Sequence, residues 1–441
     1  MRTLLAALSL LAAPAPAGPP PVAPAAAPPR VLGLEEAIRL ARQNQPQLRQ
    51  ARAGTEAARA RADEARAPLL PQLTGSAGYR RATANLAGVP ESTSSVNVWR
   101  LEATLSQLVW DFGQTTGRWE AARESATSQQ ASERATRLQV LYSVRAAFFT
   151  ARAARDLVGV ARETLQNQEA HLRQVQGFVE VGRSPEIDLA QVRTDRANAE
   201  VQLIQAQNGY ETAKAQLNQT MGIEGLTDYE VADDTLPALE GEDSPIEALL
   251  AEALPRRPDV TALEAQVRSQ RATLGSVRGG YWPSLGLAAG ASDVGPEVNG
   301  PAMTWNWSAA ATLTWNLFQG GLTSAQVREA EANAAGLEAQ LASLQQQVRL
   351  DLEQARLPVR AAKAALKAAG EALFNARERL RLAEGRYQTG SGSIIELGDA
   401  QVALTSAAAQ KVQADYALAA ARALLLRALG RPAAGDEAAG R

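Results

Sequence analysis

Most of the chain carries apolar residues at spacings of three and four, separated by Ala, Gln, Glu and Arg. Leu189, Val192 and Ala199 form one such series. This spacing places apolar side chains along one stripe of an α-helix and is typical of coiled-coil seams. It predicts two long helices, over residues 115–181 and 323–388, each about 90 Å long at 1.5 Å per residue. A large soluble helical bundle has the same spacing, but helices of this length favour an extended coiled coil.

Four segments between helices switch to a period of two. Trp305, Trp307 and Leu313, for example, alternate with Asn306 and Thr312. Such alternation over about ten residues, with aromatic residues near the ends, is typical of transmembrane β-strands. Two soluble hairpins packed on helices would also alternate. The predicted strands cover about residues 72–81, 98–109, 284–293 and 304–315, with polar loops over 82–97 and 291–303, and the candidate aromatic belt is Tyr79, Trp99, Trp305 and Trp307.

The order of elements occurs twice. Residues 34–73 match residues 246–285 at an offset of 212, and Gly222 meets Gly430 at an offset of 208. This repeat is far too long for a solenoid unit, so it indicates two halves built alike. Each half is predicted to contain a helix (34–66 or 246–277), two strands, a long helix, a turn and a returning helix (185–220 or 394–429). The predicted domains are a first repeat (34–222), an equatorial linker (223–245), a second repeat (246–430) and a flexible tail (431–441).

The N-terminal residues predict export. Arg2 and an apolar run precede Ala15-Pro16-Ala17, so residues 1–17 have the pattern of a secretory signal peptide. Residues 18–33 are rich in Pro and Ala and are expected to form an extended tether. No other run of 18 apolar residues occurs, so no transmembrane helix is predicted.

Composition narrows the chemistry. The chain has 45 basic and 47 acidic residues, a balance that argues against a nucleic-acid partner. It contains no cysteine, and its one histidine, His171, is expected to be solvated on a helix face. No nucleophile–base pair, phosphate loop or metal cluster stands out, so we expect neither an enzyme nor a cofactor or metal site.

Four amphipathic strands cannot close a barrel, since about eight are the minimum, so the strands predict an oligomer. At this point the chain resembles the TolC family of outer-membrane efflux channels. The resemblance covers residues 34–430 and rests on the duplication, the junctions Leu-Val-Trp-Asp-Phe-Gly (108–113) and Asn-Leu-Phe-Gln-Gly-Gly (316–321), and the turns at 181–189 and 387–401.

The resemblance implies a mainly α fold in which three protomers share a twelve-stranded outer-membrane β-barrel above a long periplasmic coiled-coil tunnel. It implies a passive exit duct for efflux or type I secretion, embedded in Gram-negative outer-membrane lipid. The implied partners are a periplasmic adaptor (a membrane fusion protein) and an inner-membrane transporter of RND, ABC or MFS type. The alternative is a soluble periplasmic coiled-coil scaffold or adaptor, which would be extracted without detergent.

The two helix–helix turns have physical signatures of their own. Gly182 and Gly390 stand where long helices must stop, and glycine accepts the left-handed conformation there. Ser184 with Pro185 predicts an N-cap and first helical position, and Ser393 with Glu396 predicts a capping box. The resemblance implies that both turns form the adaptor-docking tip, namely Val181, Gly182, Arg183, Ser184, Thr389, Gly390, Ser391 and Gly392.

The resemblance also implies a gate at this tip, formed by Asp188, Tyr387, Glu396 and Asp399. In a trimer the acids would form carboxylate rings that favour cations. Alternatively, Asp188 and Glu396 only complement the helix dipoles, by roughly 0.3–1 kcal/mol each. The basic partner of the gate tyrosine has no counterpart, because Gly392 occupies that place, and the candidates to replace it are Arg386 and Arg183.

Signal-peptide cleavage is the first testable prediction. We expect the chain to be cut after Ala17 in a Gram-negative host, leaving Gly18 as the mature N-terminus, because small residues flank the site after an apolar run. Mass spectrometry of the purified protein measures this directly. A mature protein that retains residues 1–17 would contradict it.

Overall fold

The computed structural model describes residues 30–85, 93–225, 227–296 and 304–431. Within these ranges the chain is mainly helical with two β-hairpins, as predicted. The helices are α1 (Leu34–Asn44), α2 (Pro46–Arg66), α3 (Gln114–Glu180), α4 (Glu186–Met221), α5 (Ile246–Arg256), α6 (Pro258–Gly279), α7 (Leu322–Gln388) and α8 (Ile394–Ala428). The strands are β1 (Arg30–Leu32), β2 (Gln72–Asn85), β3 (Thr93–Trp110), β4 (Tyr229–Val231), β5 (Ser284–Pro296) and β6 (Thr304–Thr314).

The long helices α3 and α7 each contain 67 residues and are therefore about 100 Å long. Each forms an antiparallel pair with the helix that follows it. We call α3–α4 the first helical hairpin and α7–α8 the second. None of the described helices has the length and mean hydropathy of a membrane-spanning helix.

The helix before each β-hairpin is broken, which corrects the prediction of one continuous helix over 34–66 and 246–277. Gln45 separates α1 from α2 with φ −63° and ψ 118°, and Arg257 separates α5 from α6 with φ −74° and ψ 120°. Both residues precede a proline. The proline ring disfavours helical backbone at the preceding residue, while Pro46 and Pro258 are well suited to begin the next helix.

Each break receives the end of the returning helix. Gly222 caps α4 with φ 69°, and a Cβ there would lie 2.8 Å from Gln45 Cα. Gly430 follows α8 with φ 68°, and a Cβ there would lie 2.9 Å from the Arg256 carbonyl oxygen. Only glycine allows both the left-handed conformation and this backbone contact. The two halves are therefore closed by the same proline–glycine joint.

The hairpins form one four-stranded antiparallel sheet in the order β2-β3-β5-β6. The strands extend into the segments predicted as polar loops, since β2 reaches Asn85, β3 begins at Thr93 and β5 reaches Pro296. Tyr79 is opposite Trp99 across the first hairpin. In the described residues the outer edges of β2 and β6 pair with no other strand.

The segment predicted as the equatorial linker binds both helical hairpins, and on the first hairpin Lys214 of α4 donates to the Thr227 carbonyl at 3.0 Å. Its strand β4 pairs in parallel with β1, so residues 30–32, which were predicted to belong to the tether, form a strand instead. The rest of the predicted tether before Arg30, the signal peptide and residues 432–441 lie outside the described residues. The buried Glu242 binds Arg422 and Lys363. Burial raises the pKa of Glu242, but these hydrogen bonds outweigh it and hold the pKa below its usual value.

The joint yields a stability prediction. Replacing Gly222 by alanine should destabilise the protein by about 1–3 kcal/mol or more, because the new Cβ meets backbone and the residue must stay left-handed. Thermal unfolding followed by circular dichroism measures the change. The matched control is Gly209→Ala on α4, where nothing lies within 4 Å and alanine should stabilise the helix by up to about 1 kcal/mol. Equal unfolding midpoints for the two variants would contradict the joint.

Candidate functional site

The turn that joins α3 to α4 is a Schellman cap. The Arg183 amide donates to the Phe178 carbonyl at 2.7 Å, and the Gly182 amide donates to the Val179 carbonyl at 3.0 Å. These bonds satisfy carbonyls at the helix end that have no partner within the helix. They require Gly182 in the left-handed conformation, and its φ is 71°, as predicted.

The turn that joins α7 to α8 repeats this geometry. The Ser391 amide donates to the Arg386 carbonyl at 2.9 Å, and the Gly390 amide donates to the Tyr387 carbonyl at 3.1 Å. Gly390 has a φ of 75°, which confirms its predicted conformation. At Gly392 a Cβ would lie 3.0 Å from Arg386 Cβ, so the tight turn also disfavours a side chain there.

The two returning helices start differently. The Ser393 side chain accepts a hydrogen bond from the Glu396 amide at 3.1 Å, which confirms that half of the predicted capping box. The prediction for Ser184 is wrong, because Pro185 is the N-cap residue, with extended backbone, and α4 begins at Glu186. The Ser184 amide instead donates to the Phe178 carbonyl at 3.3 Å, so Ser184 completes the end of α3.

Just behind the turns, all four long helices share one apolar cluster, which we call the tip core. Tyr387 belongs to it, with 9% of its surface exposed. Its ring lies 5.5 Å from the His171 ring and 5.9 Å from the Phe178 ring, both on α3. Tyr387 therefore holds the second helical hairpin against the first. The buried members of the tip core are Val175, Val192, Leu380, Ala383, Tyr387, Leu397 and Ala400.

The prediction for His171 is wrong. The residue is 7% exposed, whereas a solvated histidine was expected, because the face it occupies is covered by α7 of the other half. Burial lowers the pKa of its imidazole, and the Asp195 charge and a hydrogen bond with Gln174 act in the opposite direction without cancelling that effect. Burial likewise raises the pKa of Tyr387, opposed by Ser184 and reinforced by the Asp188 charge.

The acids predicted for the gate lie at the same end but in different environments. Glu396 pairs with Arg386, whose Nη1 lies 3.2 Å from Oε1, and Arg386 Nη2 also donates to the Ser391 carbonyl at 3.3 Å. Asp188 is half-buried and Asp399 is exposed. Arg386 and Arg183 were the candidates to replace the missing basic residue at 392. Of these two, Arg386 lies beside a gate acid, Glu396. Their role as a gate stays a prediction.

The opposite end of the chain presents an apolar sheet face. The alternation places Leu101, Trp305 and Trp307 on one exposed face, where the half-buried Asp293 between Leu101 and Trp305 is a charged exception, and Arg100 and Glu102 on the other. Tyr79 and Trp99 pack with ring centroids 4.7 Å apart, and the Tyr79 hydroxyl donates to Asn97 Oδ1 at 2.9 Å. The register places Tyr79 opposite Trp99, Trp305 level with Leu101 and Trp307 level with Ala103, and we call these four aromatic residues the upper belt.

A second set of exposed aromatic residues lies at the end of the sheet where the strands join the helices, and the sequence analysis did not identify it. Trp110 has the wrong parity for the apolar face, but a β-bulge after Leu108 brings it opposite Leu285. Phe112 stacks on Trp282 at 5.3 Å, and Trp315 donates to the Tyr281 carbonyl at 3.1 Å. We call this set the lower belt, comprising Trp110, Phe112, Tyr281, Trp282 and Trp315.

On β3, Trp99 of the upper belt and Trp110 of the lower belt are separated by a membrane-sized distance. Trp110 lies 11 residues after Trp99 on the same strand. At 3.3 Å per residue this is about 36 Å along the strand. A strand tilted by about 45° then spans roughly 25 Å, the height of the apolar band of an outer-membrane barrel.

Both halves of the chain match one known protein family. A family model described as outer membrane efflux protein matches residues 37–223 and 249–431. The chain is 28% identical over 306 residues to the probable efflux pump outer membrane protein TtgC of Pseudomonas putida, covering 67% of this chain and 61% of that protein. The chain thus spans about three fifths of the length of the curated relatives it matches.

Solved structures share the fold at lower identity. The outer membrane protein VceC of Vibrio cholerae superposes with a TM-score of 0.79 at 19% identity, covering 90% of this chain and 96% of that chain. The CmeC outer membrane channel of Campylobacter jejuni gives 0.78 at 20% identity, covering 90% and 85%. The resemblance to TolC-like channels is thereby confirmed, and the chain belongs to the outer membrane efflux protein family.

Proposed function

We propose that three copies of the chain form a passive outer-membrane duct that conducts cargo from the periplasmic side to the cell exterior. The observation that carries this proposal is the four-stranded sheet, with an exposed apolar face between two aromatic belts and two unpaired outer edges in the described residues. Lipid cannot satisfy the backbone groups of an open edge. Three copies supply three times four strands, and the resulting twelve are enough to close a barrel.

The helical hairpins then extend the duct away from the membrane. They continue the sheet for about 100 Å and end in two exposed turns of the same geometry. Val181 and Ile187 on the first turn and Ile395 on the second are exposed apolar side chains at this end. We propose that they dock a periplasmic adaptor, which joins the duct to an inner-membrane transporter of RND, ABC or MFS type that supplies the energy.

The tip would also set ion selectivity. In a trimer, Asp188, Glu396 and Asp399 form rings of three carboxylates each. Because Arg386 neutralises Glu396 at 3.2 Å, Asp188 and Asp399 contribute most of the field. A narrow opening lined by unpaired carboxylates attracts cations and repels anions.

Insertion into the membrane is tested by adjacent residues of one strand. Trp307 is 74% exposed on the apolar face, and Ser308 points to the opposite face. Trp307→Lys should reduce recovery of heat-stable trimer from the outer-membrane fraction, since a lysine facing lipid costs about 2–4 kcal/mol near the midplane and less near the interface. Ser308→Lys is the control and should assemble like the wild-type protein. Equal recovery of both, or a monodisperse monomer extracted without detergent, would favour the soluble scaffold instead.

Ion selectivity is tested by reversal potentials of single channels in a salt gradient. Asp188→Asn with Asp399→Asn should shift the reversal potential toward zero, whereas Glu396→Gln should shift it less, because that charge is already paired. Arg386→Gln should increase cation selectivity by releasing Glu396. If all four substitutions leave selectivity unchanged, the gate is contradicted, and Asp188 and Glu396 serve only the helix ends, where each contributes roughly 0.3–1 kcal/mol.

A further inference from the structure

The two helical hairpins of one protomer are joined mainly by polar contacts between the linker and the tip. Along α3 and α8, Thr164 Oγ1 lies 3.1 Å from Thr405 Oγ1, and the Gln168 amide donates to Gln401 at 2.9 Å. The Gln168–Gln401 pair is buried, but hydrogen bonds of this kind contribute only about 1 kcal/mol each. The apolar tip core beyond them therefore carries most of the adhesion between the hairpins at this end.

His171 lies where the polar contacts give way to the tip core, one turn after Gln168. It is the only histidine of the chain, and its buried ring meets the Tyr387 ring edge-on, at 5.5 Å and 69°. The contact joins α3 of the first hairpin to α7 of the second. A charge on His171 would therefore be placed directly in the contact that holds the hairpins together.

The surroundings of His171 offer little to stabilise that charge. Asp195 on α4 is the anionic group that acts on it, and on α3 its partner is the neutral Gln174. From α7 it meets Tyr387, whose raised pKa keeps the phenol neutral. The buried residues of α8 in this region, Leu397, Ala400 and Gln401, carry no charge, and the Asp399 carboxylate between them is exposed to solvent. The site therefore favours the neutral imidazole.

We propose that His171 is a proton-sensitive latch: while neutral it holds the two hairpins together through Tyr387, and when protonated it releases them and loosens the tip. This inference rests on the proposed duct only for its consequence, a tip that opens in acid. The folded tip binds the proton less readily than the unfolded chain does, because burial lowers the pKa of His171 from 6.5. The stability of the contact is thus full above that value and declines as the pH falls below it.

The latch is tested without any channel measurement by thiol labelling. The chain has no cysteine, so Ala383→Cys places one thiol per protomer in the tip core, where Ala383 is 2% exposed. Val402→Cys on α8, at 69% exposure, is the reference that corrects for the pH dependence of thiol chemistry. On lowering the pH from about 7.5 to about 5, the ratio of the two labelling rates should rise, by about tenfold for each unit by which burial lowers the histidine pKa.

The same measurement in a His171→Phe background identifies the sensor. Phenylalanine keeps an aromatic contact with Tyr387 but cannot be protonated, so the ratio should stay constant with pH. His171→Gln, which is polar and also uncharged, serves if the first variant fails to assemble. A flat ratio in the wild-type background, or an equal rise with and without His171, would overturn the latch, the second outcome assigning the effect to carboxylates such as Asp188 and Asp195.

Single-channel conductance separates failure of the latch from failure of the duct. A channel whose conductance rises in acid with His171 but not with phenylalanine supports both. A labelling response without any channel activity would leave the latch standing and remove the duct. A channel whose conductance and labelling are both independent of pH would support the duct and overturn the latch.

Discussion

The rest of the molecule depends on one constraint, the unpaired outer edges of the four-stranded sheet. In the described residues β2 and β6 each present a row of backbone donors and acceptors, on a sheet whose apolar face is also exposed. Lipid cannot satisfy the backbone groups of an open edge, and in water such an edge is a template for pairing with another strand.

The duplication gives both halves of the chain the same two kinds of connection between elements. Each half must turn a helix into a sheet at one end and into a returning helix at the other. The proline–glycine joint at Gln45–Gly222 and its copy at Arg257–Gly430 fix the middle, and paired Schellman caps at Gly182 and Gly390 fix the tip. The halves then differ where they meet, since His171 belongs to the first and Tyr387 to the second.

Local patterns predicted what local physics decides. The change from a period of three and four to a period of two located the helices and strands, and glycine after a long helix predicted the left-handed caps. The breaks at Gln45 and Arg257 were missed although the following prolines signal them. The N-cap assigned to Ser184 failed because Pro185 keeps an extended backbone, so α4 begins one residue later than predicted, at Glu186.

Other features could not be predicted because they depend on distant partners. Trp110 reaches the apolar face only through a bulge that is visible once β3 is paired with β5. The burial of His171 needs α7, more than 200 residues along the chain, to cover it. The Arg386–Glu396 pair requires the exact path of the turn between α7 and α8, which spacing alone does not give.

That turn also explains why the cation of the tip is Arg386 and not a residue at 392. The Schellman cap folds the chain back until a Cβ at Gly392 would press on Arg386 Cβ at 3.0 Å. A side chain at 392 would therefore crowd the end of α7, which would have to shift by a few tenths of an ångström. Arg386 meets no such obstacle, since it leaves the last turn of α7 and reaches Glu396 across the turn while donating to the Ser391 carbonyl. The turn that caps α7 therefore also places Arg386 beside Glu396, so the geometry of the backbone cap determines which of the described gate acids has a cationic partner.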